Sequence, residues 1–190
     1  MAEANPSKTS NPAERIHSPL GALLSYLVPG LGQIYQGRLG KGLLFLVCVP
    51  AMFFYGMALG DWKNVYLPEA TSLPQVTFRG TVAVGGPLKA LYYRFQFAGQ
   101  FWVGIAAWPA LWQYATYKPA GPTGPFGEFE RAPDESELNR LQQNTDKRWD
   151  LAWVYTVIAG VLNILVIYDA YSGPLFATAK ESAADEQADS

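Results

Sequence analysis

The sequence predicts an all-α membrane protein, folded as a bundle of four hydrophobic helices in a single domain. Charged residues make up only 16% of the chain, against about 25% in a typical soluble domain. Three apolar segments approach the length of about 20 residues that crosses a bilayer core, and a fourth is shorter. We expect one transmembrane domain over residues 18–174, between a disordered polar tail at 1–17 and a disordered acidic tail at 175–190.

The shorter segment comes first in the chain, at residues 20–35 (LGALLSYLVPGLGQIY). Its length falls short of the roughly 20 residues that a transmembrane helix needs. Pro29 ends or kinks a helix at this position. The segment is therefore predicted to form either a short, tilted span or a re-entrant helix.

The three longer segments are predicted spans at residues 42–60, 97–117 and 151–171. The first two contain no charged residue, and the third contains only Asp169. Pro50 and Pro109 predict kinks, which a membrane helix tolerates when neighbouring groups bond the freed carbonyls.

Two polar loops separate the longer segments. In the 61–96 loop, hydrophobic residues alternate with polar or small ones around Val76 and Val82, a pattern typical of a small β-hairpin. Residues 118–133 are rich in Pro and Gly and predict an irregular linker. Asp134 then begins a polar helix, with Glu137 at the capping-box position, and we expect this helix to continue through residue 150 up to the last span.

The distribution of Lys and Arg bears on orientation, because cytoplasmic loops are enriched in both. If all four segments cross, the positive residues divide seven against seven and favour neither orientation. If residues 20–35 are re-entrant, they divide nine against five, which places the N-terminus and residues 118–150 in the cytoplasm. We favour a cytoplasmic 118–150 linker.

Composition excludes several classes of function. A net charge of −2 gives no electrostatic footprint for nucleic acid. Cys48 and His17 are the only residues of their kinds, which excludes an internal disulfide and any cysteine-based or multi-histidine metal site. The chain has no G-x-S-x-G motif and no serine–lysine pair in a strand-like context. We therefore predict no enzymatic activity and no cofactor.

The most informative motif connects the first two apolar segments and runs from Pro29 to Gly42. Its glycines permit tight turns and close approach of the two helices, while we expect its polar side chains to lie at the membrane interface and its cations to anchor the turn. The residues of this predicted structural hairpin are Pro29, Gly30, Gly32, Gln33, Tyr35, Gly37, Arg38, Lys41 and Gly42.

This motif resembles the P-G-x-G-x-x-Y-x-G hairpin of many small bacterial membrane proteins and is similar to the conserved turn of the two-transmembrane hairpin domain. Together with the closing segment 158–174, the chain resembles an uncharacterised family of small, planctomycete-type bacterial integral membrane proteins. The resemblance implies a multi-pass protein of the bacterial inner membrane and no assigned activity.

Small and polar residues inside the spans predict helix packing. Thr156, Gly160 and Asn163 form a stripe at helical spacing, and such stripes let helices approach and share hydrogen bonds. Gly56 and Gly60 form a GxxxG motif. Asp169 is expected to pair with a cation on its own side, which in the four-span arrangement is Arg94, Lys63, Arg15 or His17.

These features favour a non-enzymatic membrane scaffold or partner-binding protein. Its expected partners are the lipid bilayer and either a second copy of the chain or another membrane protein. The alternative is a small transporter or channel-like component acting as an oligomer, with Asn163 and Asp169 facing a polar path.

Overall fold

The computed structural model describes residues 18–68, 73–78, 81–84, 86–116, 125–127, 129–144 and 147–173. Both predicted disordered tails, 1–17 and 175–190, lie outside these residues. The described residues form eight α-helices, two 3-10 turns and one pair of strands. The elements in chain order are α1 Pro19–Leu27, α2 Leu31–Tyr35, α3 Leu39–Leu59, β1 Val76–Phe78, β2 Thr81–Val84, α4 Gly86–Tyr93, α5 Gln96–Gln100, the turns Phe101–Val103 and Ile105–Ala107, α6 Trp108–Thr116, α7 Glu135–Asn144 and α8 Arg148–Ser172.

The two long helices, α3 and α8, pack against each other in antiparallel directions. Lys41, in the first turn of α3, pairs with Asp169 near the end of α8. Tyr55, near the end of α3, contacts Tyr155 with ring centroids 5.2 Å apart. The helix pair thus has two ends, which we call the Asp169 end and the Trp149 end. Both helices are long and apolar enough to cross a membrane, with a mean hydropathy of 2.1 each.

Helices α1 and α2 form a segment that folds back on itself, which we call the first folded-back segment (residues 19–35). The segment starts at the Asp169 end, where the Ser18 N–H donates to the Tyr171 carbonyl. It also finishes there, where the Gln36 amide donates to the Ala170 carbonyl. Gly30 makes the turn with a φ of +88°, a conformation that residues with a β-carbon rarely adopt. The segment therefore begins and ends at the same end of the helix pair, and its relation to a membrane stays a prediction.

Helices α5 and α6 form a second folded-back segment (residues 96–116), which starts from the opposite end. Gln100 bonds Thr156 in the first half of α8. The chain then reverses around Gly104, which has a φ of +93°. On the return, Gln113 of α6 donates to the Phe129 carbonyl, and the Phe129 ring lies 6.2 Å from that of Trp62, just beyond the end of α3. Both ends of the segment therefore lie at the Trp149 end.

Residues 97–117 do not form the continuous helix that the sequence predicts. Because α3 and α8 are antiparallel, the chain between them must begin and end at the Trp149 end, which a single crossing segment cannot satisfy. Four consecutive crossings would have made α3 and α8 parallel. Two helices of the described chain, not three or four, are long enough to span.

The remaining elements lie at the Trp149 end. Strands β1 and β2 pair antiparallel, with Thr77 opposite Val82 and Phe78 opposite Thr81, within the loop where the sequence predicts a hairpin. Helix α7 begins directly after Asp134 and extends to Asn144; residues 145 and 146, through which the sequence predicts that it continues, lie outside the described residues. An ion pair between Lys63 and Glu137 holds α7 beside the end of α3.

Candidate functional site

Most of the buried polar side chains lie where the folded-back segments meet the long helices. Of the seven described ones that are less than 2% exposed, six lie there and the seventh is Glu130; the six are Ser25, Gln33, Asn64, Gln100, Thr156 and Asn163. Burying an amide or a hydroxyl costs free energy unless it is hydrogen-bonded. Their partners therefore show what these residues do.

Gln33 joins the first folded-back segment to α8. Its Nε2 donates to the Val166 carbonyl at 2.8 Å and to the Asp169 carboxylate at 3.2 Å, while its Oε1 accepts from the Ser25 hydroxyl at 3.0 Å. Ser25 Oγ in turn accepts from the N–H of Gly32 at the start of α2. Within the protein its side chain is fully buried, and its predicted position at the membrane interface stays a prediction.

Asp169 pairs with two cations of the predicted structural hairpin. Its carboxylate contacts Arg38 at 3.0 Å and Lys41 at 2.5 Å. The expected partners Lys63 and Arg94 lie at the opposite end of the long helices, bonded to Glu137 and to the Asn64 carbonyl. The difference arises because the first folded-back segment begins and ends at the Asp169 end, which places the Pro29–Gly42 motif beside Asp169.

Asn163, in the second half of α8, connects the two folded-back segments. Its Nδ2 donates to the Ser25 carbonyl of the first segment at 3.1 Å and to the Trp102 carbonyl of the second at 2.8 Å. Breaks in helices leave such carbonyls without intrahelical partners. A β-carbon on Gly104 would lie 1.9 Å from the Tyr26 carbonyl oxygen, so the two segments touch tip to tip.

A second polar cluster lies between the second folded-back segment and the Trp149 end of the long helices. Gln100 Nε2 donates to Thr156 Oγ1 at 2.8 Å and to the Asn64 carbonyl at 3.3 Å. Arg94 donates to the same carbonyl at 3.2 Å, and its guanidinium lies 3.9 Å from the centroid of the Tyr66 ring. Burial raises the pKa of Tyr66 and lowers the pKa of Arg94.

The remaining predicted site residues divide between packing positions and exposed ones. A β-carbon on Gly32, Gly42, Gly56, Gly60 or Gly160 would approach a neighbouring atom to 3.0 Å or less. Pro29 is buried in the turn between α1 and α2. Tyr35 is 61% exposed, and nothing lies within 4 Å of a β-carbon on Gly37. The structure thus brings Gln33, Arg38, Lys41 and Asp169 together and leaves Tyr35 and Gly37 outside the cluster.

Sequence reasoning missed Ser25, Asn64, Gln100 and Glu130, and it named Arg94 only as a partner for Asp169. Ser25 and Gln100 stand out only as lone polar residues within apolar segments, and this signal is equally consistent with a position at the membrane interface. Glu130 gives no signal, because it lies in a Pro- and Gly-rich stretch. Its Oε2 accepts from the Ala110 N–H at 2.9 Å in the first turn of α6, and burial raises its pKa to about 8.

The buried polar groups form a column that extends along α8 from Asp169 to Thr156. Their hydrogen bonds join one element to another, so the column fastens the folded-back segments to the long helices. Among the described residues, no group of three or more His, Cys, Asp or Glu side chains could hold a metal ion. Cys48, the single cysteine, is exposed on α3.

A family model described as "Family of unknown function (DUF6677)" matches residues 20–183. No curated protein and no solved structure matches the chain. The matched range includes both long helices and both folded-back segments. The predicted membership of an uncharacterised family is confirmed, and the planctomycete origin stays a prediction.

Proposed function

The chain belongs to the family of unknown function DUF6677, and we propose that it is a two-span membrane protein that binds a membrane partner as a non-enzymatic scaffold. The proposed location is the bacterial inner membrane, with α3 and α8 crossing it and the folded-back segments entering from opposite faces. The outer surface of the second folded-back segment binds the partner.

The surfaces of α3 and α8 support membrane residence. Only 28% and 33% of their most apolar windows are buried within the chain, whereas an apolar helix in the core of a soluble protein is mostly buried. Leu43, Leu44 and Val47 of α3 are each more than half exposed. If the chain spans a bilayer, it stays in the membrane pellet after carbonate extraction; release into the supernatant would contradict the proposal.

The break in the second folded-back segment carries the partner-binding proposal. In a bilayer core, irregular backbone is tolerated only where protein or a water-filled cavity covers it. Helix α1 and α8 cover the inner side of residues 101–107, yet Ile105 and Trp108 on the outer side are 54% and 40% exposed. These residues and Trp112 line a groove of about 620 Å³ with an almost wholly apolar surface. An apolar helix of a second membrane polypeptide would supply the missing cover.

Crosslinking in native membranes tests this proposal. With Cys48 replaced by Ser, a photo-crosslinker at Trp112 is expected to give one discrete protein adduct. The same probe at Leu165, 62% exposed on α8, serves as the matched control and should give no such adduct. An adduct of twice the chain's mass identifies a second copy. Lipid adducts alone at Trp112 would overturn partner binding.

The polar column supports a second candidate, a small transporter or channel-like component. Broken helices that meet midway between two membrane faces build the solute and ion sites of many transporters, and here the two breaks meet at Asn163. Proteoliposomes with a pH-sensitive dye inside would report proton flux. The candidate fails if wild type gives no flux above empty vesicles, or if Asp169→Asn and Asn163→Leu both leave the flux unchanged.

A further inference from the structure

We infer that the second folded-back segment forms a binding site for an anionic phospholipid, with the headgroup on Arg94 and an acyl chain in the groove beside it. The inference rests on the proposed membrane residence and adds a ligand to it. Two separate observations carry it, namely the unneutralised charge of Arg94 and the shape of the adjoining groove.

Arg94 has no carboxylate partner among the residues that the structure describes. Its recorded contacts are the Asn64 carbonyl at 3.2 Å and the face of the Tyr66 ring at 3.9 Å. Neither contact carries a negative charge, since burial raises the pKa of Tyr66 and keeps its phenol neutral. A half-buried charge is costly unless it is paired. A guanidinium has five N–H donors arranged to fit a phosphate, and here most of them have no recorded partner.

Arg94 lies at the depth expected of a lipid headgroup. Its acceptor, Asn64, follows the end of α3 by five residues, which places the guanidinium at the Trp149 end of the helix pair. Lys63, beside Asn64 in the chain, is already paired with Glu137. Lys89 is buried and bonded to the Leu73 carbonyl. Among the described residues Arg94 has no recorded counter-ion, and residues on both sides of it in the chain, Leu91 and Phe97, line the groove described next.

An apolar groove of about 300 Å³ extends from this position towards the middle of the long helices. Its wall includes Leu91 and Phe97, on either side of Arg94 in the chain, and Leu67, which directly follows Tyr66; it then follows the second folded-back segment inwards. The lining includes Leu67, Leu88, Leu91, Phe97, Phe101 and Trp102. The last of these lies at the level of Asn163, to which its carbonyl is bonded.

The charge and the groove together select the ligand. A free phosphate would satisfy Arg94 but leave the groove empty, and a zwitterionic lipid would fill the groove but bring a second cation to Arg94. An anionic phospholipid such as phosphatidylglycerol satisfies both. Because of this charge complementarity, we assign the groove of about 300 Å³ beside Arg94 to a lipid and not to a protein helix.

The test uses the full chain purified in a nonionic detergent, with bound lipid counted by native mass spectrometry. Phosphatidylglycerol and phosphatidylcholine with identical chains are offered in equal amounts. We expect a preference of about tenfold for phosphatidylglycerol, the value of one charge-assisted hydrogen bond. Arg94→Gln should abolish this preference, whereas Arg140→Gln, an equal change of charge at an exposed position of α7, should preserve it.

A second pair of variants tests the groove and guards against a misfolded Arg94→Gln chain. Ala98 lines the groove, and Ala98→Trp should reduce retention of phosphatidylglycerol; Leu165→Trp, on the exposed face of α8, should not. Inorganic phosphate should not displace the lipid at equal concentration. Equal binding of the two lipids to wild type, an unchanged preference in Arg94→Gln, unchanged retention in Ala98→Trp, or displacement by phosphate would each overturn the site. Carbonate extraction tests membrane residence separately.

Discussion

The residues that define this molecule are the two glycines at the tips of the folded-back segments. Gly30 and Gly104 both have positive φ angles, and both tips lie against backbone of another element. Near their tips both segments are hydrogen-bonded to Asn163. A substitution at either glycine is therefore expected to disturb both segments. A positive φ and a close backbone neighbour are separate constraints. Gly127 has a positive φ but no close neighbour, so it serves as a control.

Gly104→Ala is expected to destabilise the protein more than Gly127→Ala does. Gly127 has a φ of +57° with nothing within 4 Å of an added β-carbon, whereas at Gly104 that carbon would meet the Tyr26 carbonyl at 1.9 Å. Backbone strain should cost about 1–2 kcal/mol at Gly127 and about 1–3 kcal/mol at Gly104, whose ψ of −136° lies outside the left-handed helical region. Overpacking should add a further contribution of about 1–3 kcal/mol at Gly104. Thermal unfolding in detergent measures the difference; equal losses would mean that the tips are not in contact.

Glu130 predicts how stability depends on pH. In the folded chain burial raises its pKa to about 8, against an ordinary value of 4.5. Between these values the folded state holds a proton that the unfolded state releases. The free energy of unfolding should therefore fall as pH rises from about 5 to 8, on the order of 1 kcal/mol per pH unit.

Comparison with Glu130→Gln isolates this effect, since the amide retains an acceptor for the Ala110 N–H and does not titrate. Its melting temperature should vary less between pH 5 and 8 than that of wild type. A variant that keeps the full wild-type slope would assign the slope to other groups.

At the scale of the elements, direction along the long helices decides which residues can meet. Asp61 follows α3 and Arg140 lies on α7, and the Lys63–Glu137 ion pair holds these two regions together at the Trp149 end. Gly40, in the first turn of α3, lies at the Asp169 end near the Lys41–Asp169 pair. An arrangement with four crossings would instead have placed residues 61 and 140 on opposite faces.

Cysteine labelling distinguishes these arrangements. In a Cys48→Ser background, Asp61→Cys and Arg140→Cys should react with an impermeant maleimide from the same face of sealed vesicles. Gly40→Cys should react only from the other face, or after the vesicles are opened. Labelling of positions 61 and 140 from opposite faces would require residues 97–117 to cross the membrane.

The elements also show what the sequence could and could not predict. Helices α3 and α8 were predictable because long uncharged segments need only their own composition to form. Residues 97–117 have the same composition, and their reversal depends on Gly104 fitting against Tyr26, a residue 78 positions away. Pro109 was expected to kink a span; it lies in the first turn of α6, where a proline costs no hydrogen bond.

The residues of the candidate site were predictable only where they depend on local spacing along one helix. The stripe of Thr156, Gly160 and Asn163 could be identified because helical spacing is a local property. The partners of Asp169 could not, because they depend on whether residues 20–35 cross. Hydropathy alone does not decide whether a segment crosses when the segment is only slightly shorter than a full span.

At the scale of the whole molecule, each half consists of a folded-back segment followed by a long helix, and the second half is inverted relative to the first. The first folded-back segment starts from the Asp169 end and precedes α3; the second starts from the Trp149 end and precedes α8. Inverted repeats of this kind place paired helix breaks at the middle of a membrane. The sequence shows no convincing repeat, so the symmetry lies in the course of the backbone.

This arrangement changes the distribution of positive charge and with it the predicted orientation. The count assigns the residues outside the described range to the elements that they adjoin in the chain, α1 and α8. The Asp169 end then has five Lys and Arg residues: Lys8, Arg15, Arg38, Lys41 and Lys180. The other nine lie between residues 61 and 148. Because the positive-inside rule favours the richer side for the cytoplasm, residues 118–150 should be cytoplasmic, and the N-terminus, contrary to the sequence-based count, should not be.

Reporter fusions in a bacterial host measure this orientation. Alkaline phosphatase, which is active only after export, should be active when fused after residue 173, and green fluorescent protein, which matures in the cytoplasm, should be dark there. Fusions truncated after Asn144 should give the opposite result, because only α3 then crosses. Replacing Arg140, Lys147 and Arg148 with Gln lowers the difference from nine against five to six against five, so the triple variant should populate both orientations. A fluorescent C-terminal fusion in the wild-type chain would reverse the predicted orientation. It would not contradict the two folded-back segments.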